Sequence, residues 1–469
     1  MAAALEDTFI GQRSAFAAQP YPSATQRRAW MTLLERVLLD HADAICESIS
    51  ADFGHRSAFE TRMVELVPSV FALRYAHRHV TQWMKPQRRS VSIWFQPGRA
   101  EVLYQPLGVV GIIVPWNYPL YLTIGPLAAA LAAGNRVMLK LSEHTPQFSD
   151  LFARIIEKTF QSDLIRVVNG DQRVGRAFTA LPFDHLLFTG SGVVARDVLS
   201  SAARHLTPVT LELGGKSPAL ITPSFDLSRA ARQIIFGKLI NAGQTCVAPD
   251  YVLAPQGALP AFTEALRKEA RLMYGVRTAE DYTSIVNARQ YSRLERLLQD
   301  AQQLGARTVP LLDSVPNGSS RYFPPLLLLD PTRDMQIMHE EIFGPILPII
   351  GYTSLDAAIG YINAHARPLA LYLFDDDERR RGALLTQVSS GGVTINDTML
   401  HVVQDDLPFG GVGASGMGRY HAVEGFRTFS QARSVFRQSR FSMTSLMYPP
   451  YGGRLAGRIL ELMLRTGRL

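Results

Sequence analysis

Residues 185–213, HLLFTGSGVVARDVLSSAARHLTPVTLEL, decide the fold of this chain. The apolar start, 185–188, predicts a strand, and a glycine-containing turn follows it at 190–192. A helix is predicted over 193–205, and a second strand over 209–213. Apolar strands joined through a helix are typical of a parallel α/β sheet whose two faces are both covered.

The alternation continues on both sides of this stretch. Upstream, strands are predicted at 137–140 and 165–168, with a helix over 147–159 between them. Downstream, a second alternating section runs from Ser217 to about Gly392. It contains predicted helices at 227–240, 258–273 and 288–304 and a strand at 325–329. These patterns predict an α/β fold with two alternating sections.

The first hundred residues follow other patterns. Periodic apolar residues over 24–49 predict one long helix. Segments 90–95 and 101–104 predict a β-hairpin around the turn Gln96-Pro97-Gly98. The uncharged run Leu107–Gly134 is long enough to span a bilayer, but prolines and glycines interrupt it. We therefore interpret it as a buried strand, an active-site turn and a buried helix.

Composition limits the classes of function. With 469 residues the chain is too long for one simple core, so two or three domains are expected. A net charge of +7 is modest for this length and the arginines are scattered, so no nucleic-acid partner is expected. The two cysteines, Cys46 and Cys246, form no disulfide framework, and no signal peptide is evident. A cytoplasmic protein is expected.

Cys246 is the candidate nucleophile. It ends the run Gly243-Gln244-Thr245-Cys246, whose polar and glycine residues do not resemble core packing. A thiolate is the reactive form of cysteine, so the site must supply N–H groups or positive charge to favour it. Cys46 lies in a helical pattern without such a context, and we interpret it as a core residue.

Glu212 and Asn117 are the candidate partners of this thiol. Glu212 lies in the strand-like run 209–213, where a buried carboxylate with a raised pKa would suit a general base acting on water. A salt bridge to Lys216 is the structural alternative, and the residues alone favour neither. Asn117, in Pro115-Trp116-Asn117-Tyr118-Pro119, could donate to an oxyanion or could be an ordinary turn residue.

Three segments are candidates for cofactor binding. Gly190 and Ser191 open a predicted helix after a strand, where backbone N–H groups bind phosphate. As a dinucleotide fingerprint this segment is weak, because Ala195 replaces the third glycine. Lys140 and Glu143 could hold ribose hydroxyls at the end of a strand.

Glu341 and Phe343 form the third candidate segment, in which Glu341 could bind a ribose and Phe343 could pack beside a nicotinamide. The eleven histidines form no cluster with the spacing of metal ligands, so no metal site is expected.

Seven short motifs occur in a specific order along the chain. They are Pro-Trp-Asn (115–117), Lys-x-Ser-Glu (140–143), Phe-Thr-Gly-Ser (188–191), Glu-Leu-Gly-Gly-Lys (212–216), Gly-Gln-Thr-Cys (243–246), Glu-Ile-Phe-Gly-Pro (341–345) and Leu-Pro-Phe-Gly-Gly-Val-Gly (407–413). Together they resemble the aldehyde dehydrogenase superfamily over almost the whole chain. Residues 246–251 and 415–421 are similar to its class 3 branch, and 396–411 to the coniferyl aldehyde dehydrogenases within that branch.

The resemblance implies an aldehyde dehydrogenase-like fold in three parts. A Rossmann-like NAD(P)-binding domain would comprise residues 1–83 and 105–213, and an α/β catalytic domain residues 214–392. Segments 84–104 and 393–440 would form a small β bridging element for oligomerisation, followed by a tail at 441–469. Two residues depart from the family pattern. Leu141 replaces the usual proline, and Ala195 replaces a common glycine.

The resemblance also implies an activity. It is the NAD(P)-dependent oxidation of an aldehyde, aromatic or medium- to long-chain aliphatic, through a thiohemiacetal and a thioester on Cys246. Asn117 would stabilise the oxyanion and Glu212 would activate water. An acylating enzyme that uses coenzyme A, or a catalytically silent scaffold, are the alternatives. The presence of both Cys246 and Glu212 argues against them.

Cofactor and partners are expected from the same resemblance. NAD is expected, with NADP as an alternative, because Glu143 would repel a 2′-phosphate. A homodimer is expected. The basic, amphipathic tail 453–469 is expected to dock on its own subunit or on the partner. Peripheral membrane contact through this tail is the less favoured alternative.

Overall fold

Strands and helices alternate along most of the chain in the computed structural model, which describes residues 2–442, 444–445, 448–451 and 453–466. The strands are β1 (Gln87–Arg89), β2 (Arg99–Pro106), β3 (Val109–Ile113), β4 (Arg136–Lys140), β5 (Ile165–Val168), β6 (His185–Gly190), β7 (Val209–Leu213), β8 (Pro218–Ile221), β9 (Tyr251–Pro255), β10 (Arg307–Pro310), β11 (Leu326–Leu329), β12 (Ile346–Tyr352), β13 (Ala370–Phe374), β14 (Gly392–Ile395), β15 (Gly416–Met417) and β16 (Ser430–Arg437).

The α-helices pack against the two larger sheets and form most of the N-terminal section. They are α1 (Ala2–Ala18), α2 (Ala24–Asp40), α3 (Ala42–Phe53), α4 (Ala58–Thr61), α5 (Val67–Trp83), α6 (Tyr121–Ala133), α7 (Pro146–Thr159), α8 (Gln172–Thr179), α9 (Gly192–Ala203), α10 (Leu227–Leu239), α11 (Leu259–Tyr274), α12 (Thr278–Asp281), α13 (Ala288–Gln303), α14 (Leu355–Asn363), α15 (Glu378–Gln387), α16 (Ala422–Thr428) and α17 (Arg454–Thr466). A π-helical turn, Arg62–Leu66, connects α4 to α5.

The stretch 185–213 lies in a six-stranded sheet. Its strand order is β15-β7-β6-β3-β4-β5, and β3 to β7 run parallel. The chain builds outward from β3 in one direction to β5, then returns to β6 beside β3. The loops after β3 and β6 therefore diverge and leave a crevice at the carboxyl edge, where open α/β sheets bind their ligands.

A second sheet of seven strands follows in the order β10-β11-β12-β9-β8-β13-β14, and all of its pairs except β10 with β11 are parallel. Residues 214–217 join the carboxyl end of β7 directly to the amino end of β8. Because the connection is so short, the amino edge of the second sheet lies next to the carboxyl edge of the first. Loops of both sheets can meet there.

The third sheet has the order β1-β2-β16 and is antiparallel. The predicted hairpin is wrong in its first strand, because residues 87–89, not 90–95, pair with β2. Ile93–Phe95 forms a 3-10 turn, and Ile93 is 71% exposed. The alternating apolar residues of 90–95 thus face solvent, where alternation gives no strand-forming energy.

Two predicted boundaries also need correction. The boundary at 392 falls inside β14, which belongs to the seven-stranded sheet, while β15 joins the six-stranded sheet. Only β16 of the segment 393–440 lies in the third sheet. The helix predicted over 24–49 is broken at His41 (φ −112°), although buried apolar residues continue through Ile45 and Ile49.

The apolar run 107–134 is the centre of the core. As expected, it forms β3, a turn and α6, and every residue of α6 is buried. No helix among the described residues is long and apolar enough to cross a membrane. The tail helix α17 differs from the rest, because Leu455, Leu460 and Leu464 are exposed in the isolated subunit. Residues 467–469 of the predicted tail lie outside the described residues.

Candidate active site

Cys246 lies in a turn with an unusual backbone. Three consecutive residues before it have positive φ: Asn241 (52°), Ala242 (51°) and Gly243 (74°). For the two residues with side chains, this conformation costs on the order of 1–3 kcal/mol each. Gly243 is also required sterically, because a Cβ there would lie 2.4 Å from the carbonyl oxygen of Gly344. The turn exists only because its surroundings hold it.

The buried side chain of Gln244 stabilises the turn that carries Cys246, residues 241–246, which we call the nucleophile turn. Its Nε2 donates to the carbonyl oxygens of Asn241 (3.0 Å) and Ser284 (3.1 Å), and its Oε1 accepts from the N–H of Val286 (2.9 Å). The side chain is fully buried. Next to Cys246, the Thr245 and Tyr118 hydroxyls hydrogen-bond at 2.6 Å. Cys246 itself is half-buried.

Asn117 lies in the turn after β3 and shares a hydrogen bond with the nucleophile turn. Its Nδ2 donates to the carbonyl oxygen of Gln244 at 3.2 Å. Its own carbonyl oxygen accepts from Asn241 Nδ2 at 3.0 Å. The residue is buried, and one amide proton is engaged by Gln244. The Asn117 side chain therefore lies against the turn that carries Cys246.

Glu212 lies on β7, opposite Thr189 of β6, and is buried. Neither carboxylate oxygen accepts a hydrogen bond from any residue that the structure describes. Lys216 forms its ion pair with Asp250, so the predicted structural alternative for Glu212 is wrong. Burial, reinforced by the nearby Glu341 carboxylate, raises the pKa of Glu212 well above its ordinary value. An unpaired carboxyl with a high proton affinity suits a general base.

Burial also raises the pKa of Cys246 well above that of an ordinary cysteine, and the Glu212 and Glu341 carboxylates add to the effect. The N–H groups of Cys246 and Val247 point at the sulfur and lower its pKa in part. Without a cofactor, the thiol is therefore largely protonated at neutral pH. The proton must leave before the sulfur can attack.

The predicted phosphate site, Gly190 and Ser191, lies at the crevice of the six-stranded sheet. Gly190 ends β6, and the side chain of Ser191 caps α9 by accepting from the N–H of Val194 at 3.5 Å. Both Ser191 and Val193 are exposed, which leaves the start of α9 open. A helix start at the switch point of a parallel sheet fits a pyrophosphate.

Lys140 and Glu143 follow β4 at the same edge. Lys140 is buried and donates to the carbonyl oxygen of Leu141 at 2.6 Å, with Glu143 Oε2 3.7 Å away. Burial lowers the pKa of Lys140, while Glu143 opposes that shift. Glu143 is exposed, so its carboxylate remains in solvent.

Glu341 and Phe343 come from the loop before β12. A Cβ on Gly214 would lie 2.0 Å from Glu341 Oε2, so this carboxyl rests against the glycine backbone after β7. Glu341 Oε1 has no partner among the described residues, and burial raises the pKa of Glu341 to about 8. Phe343 packs edge-on against Trp116 at 5.3 Å.

The site as a whole fits a nicotinamide dinucleotide. The open start of α9 and the unpartnered Glu341 oxygen are the two observations that support this fit. Glu341 and Gly214 link the cofactor side to Glu212 and Cys246. Within the described parts of the chain, no group of three His, Cys, Asp or Glu side chains could hold a metal ion.

Three charged residues behind the nucleophile turn were not predicted. Arg56, Glu60 and Glu65 are buried; Arg56 contacts the carbonyl oxygen of Asn117, and Glu60 accepts from the N–H of Asn241. Charged residues at helical spacing are typical of a solvated face, so their pattern gave no warning. A proline three residues after Glu65, which disturbs the helix there, was the only local signal.

Comparison with known proteins agrees with this geometry. Residues 6–435 match the model of the aldehyde dehydrogenase family. The chain belongs to the aldehyde dehydrogenase family. It is 50% identical over 462 residues to a probable coniferyl aldehyde dehydrogenase of Pseudomonas aeruginosa, covering 98% of this chain and 96% of that protein.

Two solved structures place the fold. A substrate-bound Staphylococcus aureus AldH superposes with a TM-score of 0.92 and is 37% identical, covering 97% of this chain and 99% of that one. A Mycobacterium tuberculosis aldehyde dehydrogenase complexed with NAD+ has a TM-score of 0.84 and 29% identity, covering 94% and 90%. The predicted family, fold class and NAD(P)-dependent aldehyde oxidation are thereby confirmed.

The raised pKa of Cys246 makes a prediction for alkylation by iodoacetamide in a Cys46→Ala background. Because the thiolate fraction is small at neutral pH, we expect slower reaction at pH 7.5 than for free cysteine, with a rate still rising above about pH 9. Glu212→Gln removes a carboxyl that, once ionised, raises the pKa of the thiol, so alkylation should be faster in this variant in the alkaline range, whereas Glu157→Gln, at an exposed carboxylate, should not change the rate. A rate plateau below pH 8 would contradict the shift.

Proposed function

We propose that this enzyme oxidises coniferyl aldehyde or a related aromatic aldehyde, or a medium- to long-chain aliphatic aldehyde, to the carboxylic acid. One observation carries the proposed mechanism: the Asn117 amide bonds the turn that carries Cys246, and the unpaired Glu212 carboxyl lies close enough to raise the pKa of the Cys246 thiol. The name of the Pseudomonas aeruginosa relative supports the aromatic substrate class.

The first step is addition of Cys246 to the aldehyde carbon. Cys246 adds as its thiolate, after its proton has left to solvent, and the C–S bond forms as the carbonyl π electrons move to oxygen. The free Asn117 amide proton and the N–H of Cys246 donate to this oxyanion. Loss of one such donor costs roughly 100- to 1000-fold in rate. The product is a thiohemiacetal on Cys246.

Oxidation and release follow at the same sulfur. A bound nicotinamide dinucleotide supplies the hydride acceptor that the oxidation requires. Glu212 then takes a proton from water, whose oxygen attacks the thioester carbon. Collapse of the tetrahedral adduct breaks the C–S bond, releases the carboxylic acid and returns Cys246 to its resting state.

We propose that the cofactor is held by Lys140, Glu143, Gly190, Ser191, Glu341 and Phe343, with NAD preferred over NADP. The preference rests on Glu143, whose exposed carboxylate lies 3.7 Å from the Lys140 ammonium. A 2′-phosphate placed near that carboxylate would meet like charge. Lys140 offers only partial compensation, since it already donates to Leu141.

The proposed substrate class also rests on large apolar and aromatic side chains in and around the catalytic motifs. Tyr121 and Leu122 are buried, Trp116 is half-buried, and Ile395 is 39% exposed. Such a surface favours extended apolar substrates, since each buried methylene contributes about 0.8 kcal/mol.

A substrate panel with each cofactor tests the proposed function. We expect a higher kcat/KM for cinnamaldehydes, benzaldehyde and octanal than for acetaldehyde, and a higher value with NAD than with NADP. Cys246→Ala should abolish oxidation but keep nucleotide binding, while Cys46→Ala should be nearly silent. Acetaldehyde as the best substrate would overturn the substrate class, and an active Cys246→Ala would overturn the mechanism.

We also propose a cytoplasmic homodimer. Both cysteines are free, which suits a reducing compartment. Strand β16 lies at the end of the third sheet, and an open edge of this kind can pair with another chain. Phe436 on that strand is 50% exposed, and several leucines of α17 are also exposed. We assign this apolar surface to the subunit interface rather than to a membrane.

Light scattering tests the dimer. The full chain should have twice the mass of one 51.9 kDa subunit. A chain that ends at Tyr451 should already be monomeric at protein concentrations at which the full chain is still a dimer. A single-subunit mass for the full chain at every concentration would contradict this proposal.

A further inference from the structure

Arg56, Glu60 and Glu65 form a buried charge cluster directly behind the nucleophile turn. Arg56 Nε lies 3.2 Å from Glu60 Oε1, and Arg56 Nη1 lies 2.6 Å from Glu65 Oε1. The side chains of Arg56 and Glu65 are fully buried, and that of Glu60 is 8% exposed. Buried charges are costly unless paired, so a cluster of three calls for a reason beyond stability.

Glu60 holds the nucleophile turn. Its Oε1 accepts from the backbone N–H of Asn241 at 3.2 Å and from the Thr283 hydroxyl at 3.0 Å. Asn241 is the first residue of the turn with positive φ, and its side chain in turn donates to the carbonyl oxygens of Asn117 and Gln244. One carboxylate oxygen thus fixes the residue that connects the two catalytic loops.

Glu65 holds the other loop. Its Oε2 accepts from the N–H groups of Leu120 (2.7 Å) and Tyr121 (3.2 Å), at the start of α6. No side chain within α6 caps this helix, so Glu65 serves as its cap. A carboxylate at a helix start is stabilised by the helix dipole. The position of α6 helps to determine where Asn117 lies, four residues before the first residue of the helix.

Arg56 joins the two carboxylates. Its guanidinium lies over the rings of Phe53 (5.3 Å) and Tyr118 (5.1 Å), which fixes its plane. Nη1 also approaches the carbonyl oxygen of Asn117 at 3.5 Å. The cluster therefore contacts the backbone of Asn117 and the backbone of the turn that carries Cys246.

The π-helical turn explains how both carboxylates reach one guanidinium. Glu60 and Glu65 are five residues apart, which on a regular α-helix would separate them by about 140°. Pro68 has no N–H and its ring conflicts with the carbonyl four residues earlier, and the N–H of Val67 bonds instead to the carbonyl of Arg62. The wider turn, Arg62–Leu66, lets both side chains point toward Arg56.

We propose that Arg56, Glu60 and Glu65 are positioning residues that set the placement of Asn117 relative to Cys246. The proposal rests on the proposed roles of those two residues. Glu60 is the decisive member, because it alone bonds the strained turn directly. A misplacement of the oxyanion donor by about 1 Å can cost roughly 100-fold in rate without weakening nucleotide binding.

The test compares Glu60→Ala and Glu60→Gln with Asp375→Ala, in a Cys46→Ala background. Asp375 is a matched control, because its buried side chain pairs with Arg380 at the opposite edge of the seven-stranded sheet. In Glu60→Ala we expect kcat to fall roughly 10- to 100-fold, with the dissociation constant of NAD within twofold. The alkylation rate of Cys246 should also change.

Rescue and control complete the design. Glu60→Gln keeps an acceptor oxygen and should recover most of kcat, whereas Asp375→Ala should lower Tm but leave kcat and the alkylation rate within twofold. Unchanged kcat in Glu60→Ala, or an equal loss of kcat in the control, would overturn the proposal. If Glu60→Ala does not fold, Arg56→Lys takes its place, and an unchanged kcat there is likewise contrary.

Failure of this inference is distinguishable from failure of the proposed function. Inactive Cys246→Ala and impaired Asn117→Ala variants together with a fully active Glu60→Ala would remove only the positioning role. An active Cys246→Ala would remove the mechanism itself.

Discussion

The hydrogen bond from Asn117 Nδ2 to the carbonyl oxygen of Gln244 is the contact on which the rest of the site depends. Asn117 belongs to the turn after β3 of the six-stranded sheet, and Gln244 to the turn before β9 of the seven-stranded sheet. The bond exists because residues 214–217 bring the two sheets together edge to edge. Through it, the proposed oxyanion donor and the proposed nucleophile, which belong to different sheets, are held at a fixed distance from each other.

The buried polar groups of this site differ in how far their hydrogen bonds are satisfied. Gln244 satisfies its amide fully, while Glu212 has no partner among the described residues. An unpaired buried carboxylate is unfavourable, and it responds by raising its pKa. The same burial keeps Cys246 protonated. Reactivity at neutral pH therefore requires that a tightly held proton leave the Cys246 sulfur.

Sequence reasoning reached the parts of this protein that depend on local pattern. The strand-turn-helix at 185–203 and the buried run 107–134 follow from apolar period and glycine position. The break at His41 could not be predicted, because the buried positions keep their period across it. The first hairpin strand was predicted at 90–95 instead of 87–89 because the apolar residues of 90–95, although exposed, follow a pattern similar to that of a strand. Arg56 and Glu60 were not predicted, because tertiary contacts and not sequence spacing define their role.

The central claim is that oxidation proceeds through a thioester on Cys246 that Glu212 hydrolyses. The most direct test is intact-protein mass spectrometry of Glu212→Gln, quenched shortly after mixing with NAD and coniferyl aldehyde. The account predicts a burst of reduced cofactor, slow turnover afterwards, and one acyl group on the peptide that contains Cys246. An undiminished steady-state rate, with no acyl group on that peptide, would contradict it.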